Sequence, residues 1–150
     1  AEEKIEMIVD SGCRRTIVKP RAFKGMKVKK TDNVGKNFRT ANGAHIPNQG
    51  ETTIEGRDAT GAKLKVVAQV ADVTKNLASV MEMVDRGNWV IFHKEGGYIQ
   101  TMKKEEDWKV GAYLNEFGYL IHLVVQVGTC YQLSLQPILE QELMQLKMVR

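Results

Sequence analysis

Cysteine is scarce in this chain of 150 residues: there are two, Cys13 and Cys130. They stand far apart and join no CxxC pair or Cys/His cluster, which argues against a disulfide scaffold or structural zinc site and suits a reducing compartment. The three histidines, His45, His93 and His122, have no carboxylate or cysteine neighbours at ligand spacing. No metal is expected, and none of the three is expected to be catalytic. No apolar run reaches about 18 residues, the length a membrane helix requires. The N-terminus also lacks the basic start and apolar block of a signal peptide. The chain therefore reads as soluble and intracellular, with no membrane span. Because it begins with Ala, it reads as processed or cut from a longer precursor, and an organellar location stays open if a presequence was removed. Internal repeats and low-complexity tracts are absent.

What is present suits one folded domain. Hydrophobic residues make up 43% and charged residues 27%, close to ordinary globular chains and far from disordered ones. A chain of this length buries roughly 70% of the surface that its unfolded form exposes, so no staple is required. The net charge of +4 favours acidic partners without choosing among nucleic acid, protein and lipid. Much of that charge lies between residues 14 and 30, where Arg14, Arg15, Lys19, Arg21, Lys24, Lys27, Lys29 and Lys30 occur with no acidic residue. Such a stripe can neutralise phosphates. It contains a single aromatic, Phe23, so a base-stacking platform is poorly supported, and a solvated loop or lysine-guarded edge strand is the other reading.

Short strand-like segments dominate the first 127 residues. "KIEMIVDSG" alternates Ile5, Met7 and Val9 with Lys4, Glu6 and Ile8 and stops at a glycine, the pattern of a half-buried strand. "TIVKP" is a second short run. Asn42-Gly43 predicts a hairpin within "FRTANGAHIPNQGETTIEG". "AKLKVVAQVADV" is another strand, and "NWVIFHKEGGYIQTM" reads as a hairpin around Glu95-Gly96-Gly97, with Trp89, Phe92 and Tyr98 filling the core. "GYLIHLVVQV" is apolar throughout, which suggests burial on both faces or a subunit contact. "NLASVMEMVDRG" reads as the single internal helix, capped by Asn76 and stopped by Gly87. From Pro137, "PILEQELMQLKMVR" predicts a short amphipathic helix whose apolar stripe packs on its own domain or docks on a partner.

The chemistry-bearing stretch is "MIVDSGCRRTIV", residues 7–18. Three apolar residues lead into Asp10-Ser11-Gly12, a local arrangement suited to holding a catalytic carboxylate at a strand end, with glycine allowing close backbone approach. Aspartic peptidases activate water between two carboxylates that share a proton, because two like charges about 3 Å apart cannot both ionise cheaply. The only loosely similar site, Asp58-Ala59-Thr60-Gly61, has one residue too many and lies in a predicted turn. A dyad therefore requires two copies of Asp10 across a twofold axis. Arg14 and Arg15 either stand beside Asp10, favouring its ionised form and opposing a shared proton, or are solvated. They would also lower the pKa of Cys13, but a thiol nucleophile has no local histidine to serve it.

In order and spacing, residues 8–127 resemble retropepsin-type aspartic proteases, in particular the protease region of copia-type retrotransposon polyproteins. The resemblance is carried by Asp10-Ser11-Gly12, by "TANGAHIPNQGETTIEG", and by "VADVTKNLASVMEMVDRGNWVIFHKEGGYI". It implies a mostly β, closed-barrel acid protease fold with one short internal helix, a flap hairpin, no cofactor, and an obligate homodimer acting on a polypeptide. Asp10 would then be the catalytic carboxylate, Ser11 the loop-fixing hydroxyl and Gly12 the turn glycine. Ala41, Asn42, Gly43 and Ala44 would form the substrate-binding flap, and Leu77-Ala78-Ser79 would replace two apolar residues and a glycine. Cys13 stands where a small alanine is usual, and the chain after Gly128 departs from the pattern. The division expected is a protease-like domain over residues 1–127 and a C-terminal helical tail over 128–150.

Two functions follow as expectations. One is an aspartic endopeptidase, with Asp10 from each of two subunits activating water. The other is a catalytically silent domain reused as a subunit of a larger assembly of proteins, with or without nucleic acid. Its anion contacts would be Arg14, Arg15, Lys19, Arg21, Lys24 and Lys27.

Overall fold

Alternation along Ile5, Met7 and Val9 puts three apolar side chains on one strand face, and β1 (Ile5–Asp10) buries all three. The structure, a computed structural model, describes residues 3–59, 61–94, 96–101, 121–127 and 130–138. The chain continues through β2 (Ile17–Val18), β3 (Asn37–Arg39), β4 (His45–Pro47), β5 (Gly50–Arg57), β6 (Lys63–Val70) and β7 (Asn76–Ser79). It then forms α1 (Val80–Asp85), β8 (Asn88–His93), β9 (Gly96–Thr101), β10 (Ile121–Val127) and β11 (Cys130–Pro137). The protein is mostly β.

Six strands close a barrel in the order β1-β7-β2-β6-β5-β11, with β11 pairing back onto β1. Closure removes the exposed edges that an open sheet would leave. β11 achieves it by dividing its two edges. One edge runs antiparallel to β1, with Ile5 opposite Leu135 and Met7 opposite Leu133. The other meets β10 through Cys130–Gln132 and then β5 through Gln136 and Pro137. From β10 the sheet continues outward through β9 to β8. The inward residues Met7, Val18, Ile54, Ala68, Val70, Ala78, Leu133 and Leu135 form one apolar cluster. Each large aliphatic side chain buried there contributes about 1.5–3 kcal/mol relative to exposure.

Three expectations need correction. The helix does not begin after an Asn76 cap: residues 76–79 form β7, parallel to β1, and the helix is capped by Ser79, whose side chain accepts from Glu82 N. Asn76 instead accepts from Lys19 N and donates to Glu6 O, bridging strands. Pairing with β1 outweighs the helical spacing of Leu77, because it buries Ala78 and Ser79 completely. The boundary at residue 127 also fails, since β11 completes the barrel; residues 139–150, which hold most of the predicted terminal helix, lie outside the described residues, and Pro137 ends a strand. Finally, Phe92 is 38% exposed and packs on Tyr131 at 4.5 Å between ring centroids, so it is not a core residue. The hairpin predicted at 42–43 is present as β3 and β4, and Gly87 closes α1 with its N–H on Val84 O.

Candidate active site

Asp10 is the last residue of β1, directly opposite Ser79 in the parallel pairing with β7. Beyond it the chain turns sharply, and Asp10 Oδ1 accepts from Gly12 N at 2.7 Å, a side-chain-to-backbone turn of the kind aspartate favours. A Cβ at Gly12 would stand 3.3 Å from that same oxygen, so glycine permits the close approach. Asp10 is half-buried, while Ser11 and Gly12 are exposed. Among the described residues, no second carboxylate hydrogen-bonds to Asp10 and no cationic side chain donates to it.

The loop after Asp10 is tied to the start of α1. Ser79 Oγ donates to Cys13 O at 2.6 Å, and Ser79 N donates to Thr16 Oγ1 at 3.0 Å. Glu82 Oε1 accepts from both Thr16 N and Arg15 Nε, at 2.9 Å each. Arg15 is therefore paired with Glu82, which answers half of the question raised by the two arginines. Arg14 is exposed. Within one chain the hydroxyls that hold this loop are those of Ser79 and Thr16, while Ser11 has no hydrogen bond among the described residues.

Cys13 departs from expectation. Burial, the largest effect, pushes its thiol above the ordinary range, and the nearby Asp10 and Glu82 carboxylates push the same way, against an opposing effect of the Arg15 backbone. Neither arginine side chain is among the causes of the shift, and the Arg15 guanidinium is engaged by Glu82. A thiol kept protonated at neutral pH is a poor nucleophile.

Residues 41–44 form the tip of the β3–β4 hairpin, which is a two-stranded sheet separate from the barrel. Gly43 takes the left-handed conformation that the turn requires (φ 85°), and Thr40 N and Ala44 O close the loop at 2.9 Å. Asn42 Oδ1 accepts from Ala44 N at 3.1 Å and from the Thr40 hydroxyl. Ala41, Asn42, Gly43 and Ala44 are all exposed. Lys19, Arg21, Lys24 and Lys27 are exposed as well, along a loop anchored through backbone bonds from Lys19 N to Asn76 and from Lys24 N to Glu3. Asp58 is buried and its carboxylate accepts from Ala62 N, so it builds the β5–β6 turn.

No family model, curated protein or solved structure matches this chain. A cavity of about 360 Å³ opens beside α1, lined by Met7, Val66, Met83, Ile99, Leu133 and Glu82 among others. Asp10 does not line it, and the candidate chemistry lies with Asp10. The residues that spacing alone missed are Ser79 and Glu82, which lie 66 and 67 residues from their partners in the Asp10 loop. One signal was available, since Ser79-Val80-Met81-Glu82 matches the capping-box pattern S/T-x-x-E.

Proposed function

We propose that the chain is an aspartic endopeptidase of retropepsin type, active as a homodimer with one Asp10 from each subunit. The carrying observation is the Asp10 turn: a half-buried carboxylate at the end of a barrel strand, fixed by Gly12 N at 2.7 Å, with no second carboxylate bonded to it among the described residues. A lone carboxylate cannot be base and acid at once, whereas two related by a twofold axis can share a proton. In this reading the ionised Asp10 takes a proton from water as the water oxygen attacks the peptide carbonyl. The protonated partner then supplies the proton that the leaving amine needs. Ser11 and Gly12 complete the turn, and residues 41–44 act as the flap over the polypeptide. The pairing of Arg15 with Glu82 supports the reading, because it neutralises one of the two cations that follow Asp10.

The test is cleavage of an unfolded polypeptide between acid and neutral pH by the purified chain and by its Asp10→Asn variant. The expected result is cleavage that the substitution abolishes, together with a dimer in sedimentation. Absence of cleavage across that range, with a monomer in solution, rejects the enzyme.

A second reading is favoured by the surface of α1. Met81 and Val84 are 46% and 43% exposed on a helix with no buried residue, next to the Asp10 loop. In this reading the domain is a silent subunit that docks through that face and through the basic residues 14–30 into a larger protein assembly, with or without nucleic acid. A symmetric pair of Asp10 residues excludes it.

A further inference from the structure

A capping-box glutamate ordinarily returns its carboxylate to the backbone N–H of its own N-cap residue. In α1 that N–H, on Ser79, is donated to Thr16 Oγ1 at 3.0 Å. The Glu82 carboxylate is instead turned across to the Asp10 loop, where one oxygen accepts from Thr16 N and from Arg15 Nε at 2.9 Å each. Ser79 Oγ adds a bond to Cys13 O at 2.6 Å. Residues 13–16 are thus fastened to the helix start at four points, and Asp10 lies opposite Ser79 at the edge of the same clamp. Glu82 is 19% exposed against 44% for Arg15, so the carboxylate is the more buried and better fixed member of the pair. Hydrogen bonds to an ionised acceptor are the stronger kind.

We propose that Glu82 is a positioning residue for Asp10, acting in two ways that both depend on its charge. Its carboxylate fixes the loop backbone at Thr16, and it holds the Arg15 guanidinium in a neutral pair so that this cation does not stand beside the proton-sharing carboxylates. The second role rests on the peptidase reading. A released Arg15 would favour the doubly ionised dyad, which has no proton to give.

A double-mutant cycle on the full chain tests this, using Glu82→Gln, Arg15→Gln and the double variant, each checked for folding by circular dichroism. Two readouts are taken: the pH profile of kcat and KM on an unfolded polypeptide, and the backbone amide proton resonance of Thr16. Glu82→Gln is expected to move the whole activity profile to lower pH by about one unit, which lowers kcat on its basic side roughly tenfold with little change in KM. Arg15→Gln added to it is expected to return the profile to its wild-type position. The Thr16 amide signal is expected to move upfield in both variants that lack the Glu82 charge. A profile that does not move in Glu82→Gln, or that moves as far when residue 15 is already Gln, overturns the charge-holding role. An unmoved Thr16 amide overturns the loop-fixing role. Should the wild-type chain cleave nothing, the peptidase reading and the charge-holding role fall together, and the amide signal still decides the loop-fixing role by itself.

Discussion

At the scale of single residues, the Asp10 loop is built from opposed demands on a few atoms. Asp10 and Glu82 both bear on Cys13, and Arg15 spends its charge on Glu82. The Cys13 thiol therefore sits above its ordinary range, chiefly through burial, and the sign of its pH dependence follows. At neutral pH its thiolate fraction is lower than that of a free cysteine, so alkylation by iodoacetamide should be slower than for a model thiol and should quicken only above the usual thiol range. The same shift means that the unfolded chain ionises first, so stability contributed at this site is present below the ordinary thiol value and lost as pH rises past it. Alkylation as fast as a free thiol at neutral pH would show that Cys13 is activated after all. The turn of Asp10 onto Gly12 was legible in sequence because the motif is local, whereas the loop-fixing hydroxyl expected at Ser11 makes no hydrogen bond among the described residues. The orientation of Arg15 was not, since its partner stands 67 residues away.

At the scale of elements, Ser79 links a strand, a helix and a loop. It ends β7, caps α1 and donates to Cys13 O, all from a fully buried position. Ser79→Ala removes the cap and leaves the Cys13 carbonyl without that bond, so a loss of about 1–3 kcal/mol in denaturant unfolding is expected. A change within a few tenths would mean that water takes over both roles. Alternation in β1 and the Asn42-Gly43 hairpin could be read directly, because both are properties of neighbouring residues. The start of α1 could not. Asn76-Leu77-Ala78-Ser79 fits a helix by spacing, and only pairing with distant strands, parallel to β1 and at Leu77 with Ile17 of β2, makes it a strand. The division at residue 127 missed β11 for a related reason. Alternation of Tyr131, Leu133 and Leu135 with Gln132, Ser134 and Gln136 is itself a strand pattern, but its place in the barrel depends on β1 and β5, which lie far away in sequence.

At the scale of the whole molecule, the last described strand closes the barrel that presents the first one. β1 carries Asp10 at its end and is held on one edge by β7 and on the other by β11. Leu135, fully buried opposite Ile5, should therefore behave as core: Leu135→Ala is expected to cost about 2–5 kcal/mol of stability. A loss below about 1 kcal/mol would mean that this segment is a detachable tail. If the barrel delivers one carboxylate per chain, a working site must be shared between two chains, and its stoichiometry is fixed by symmetry. Calorimetric titration with a pepstatin-type inhibitor reads that stoichiometry directly. One inhibitor bound per two chains is expected, with binding abolished by Asp10→Asn. One inhibitor per chain, or no binding to a folded wild-type protein, would contradict it.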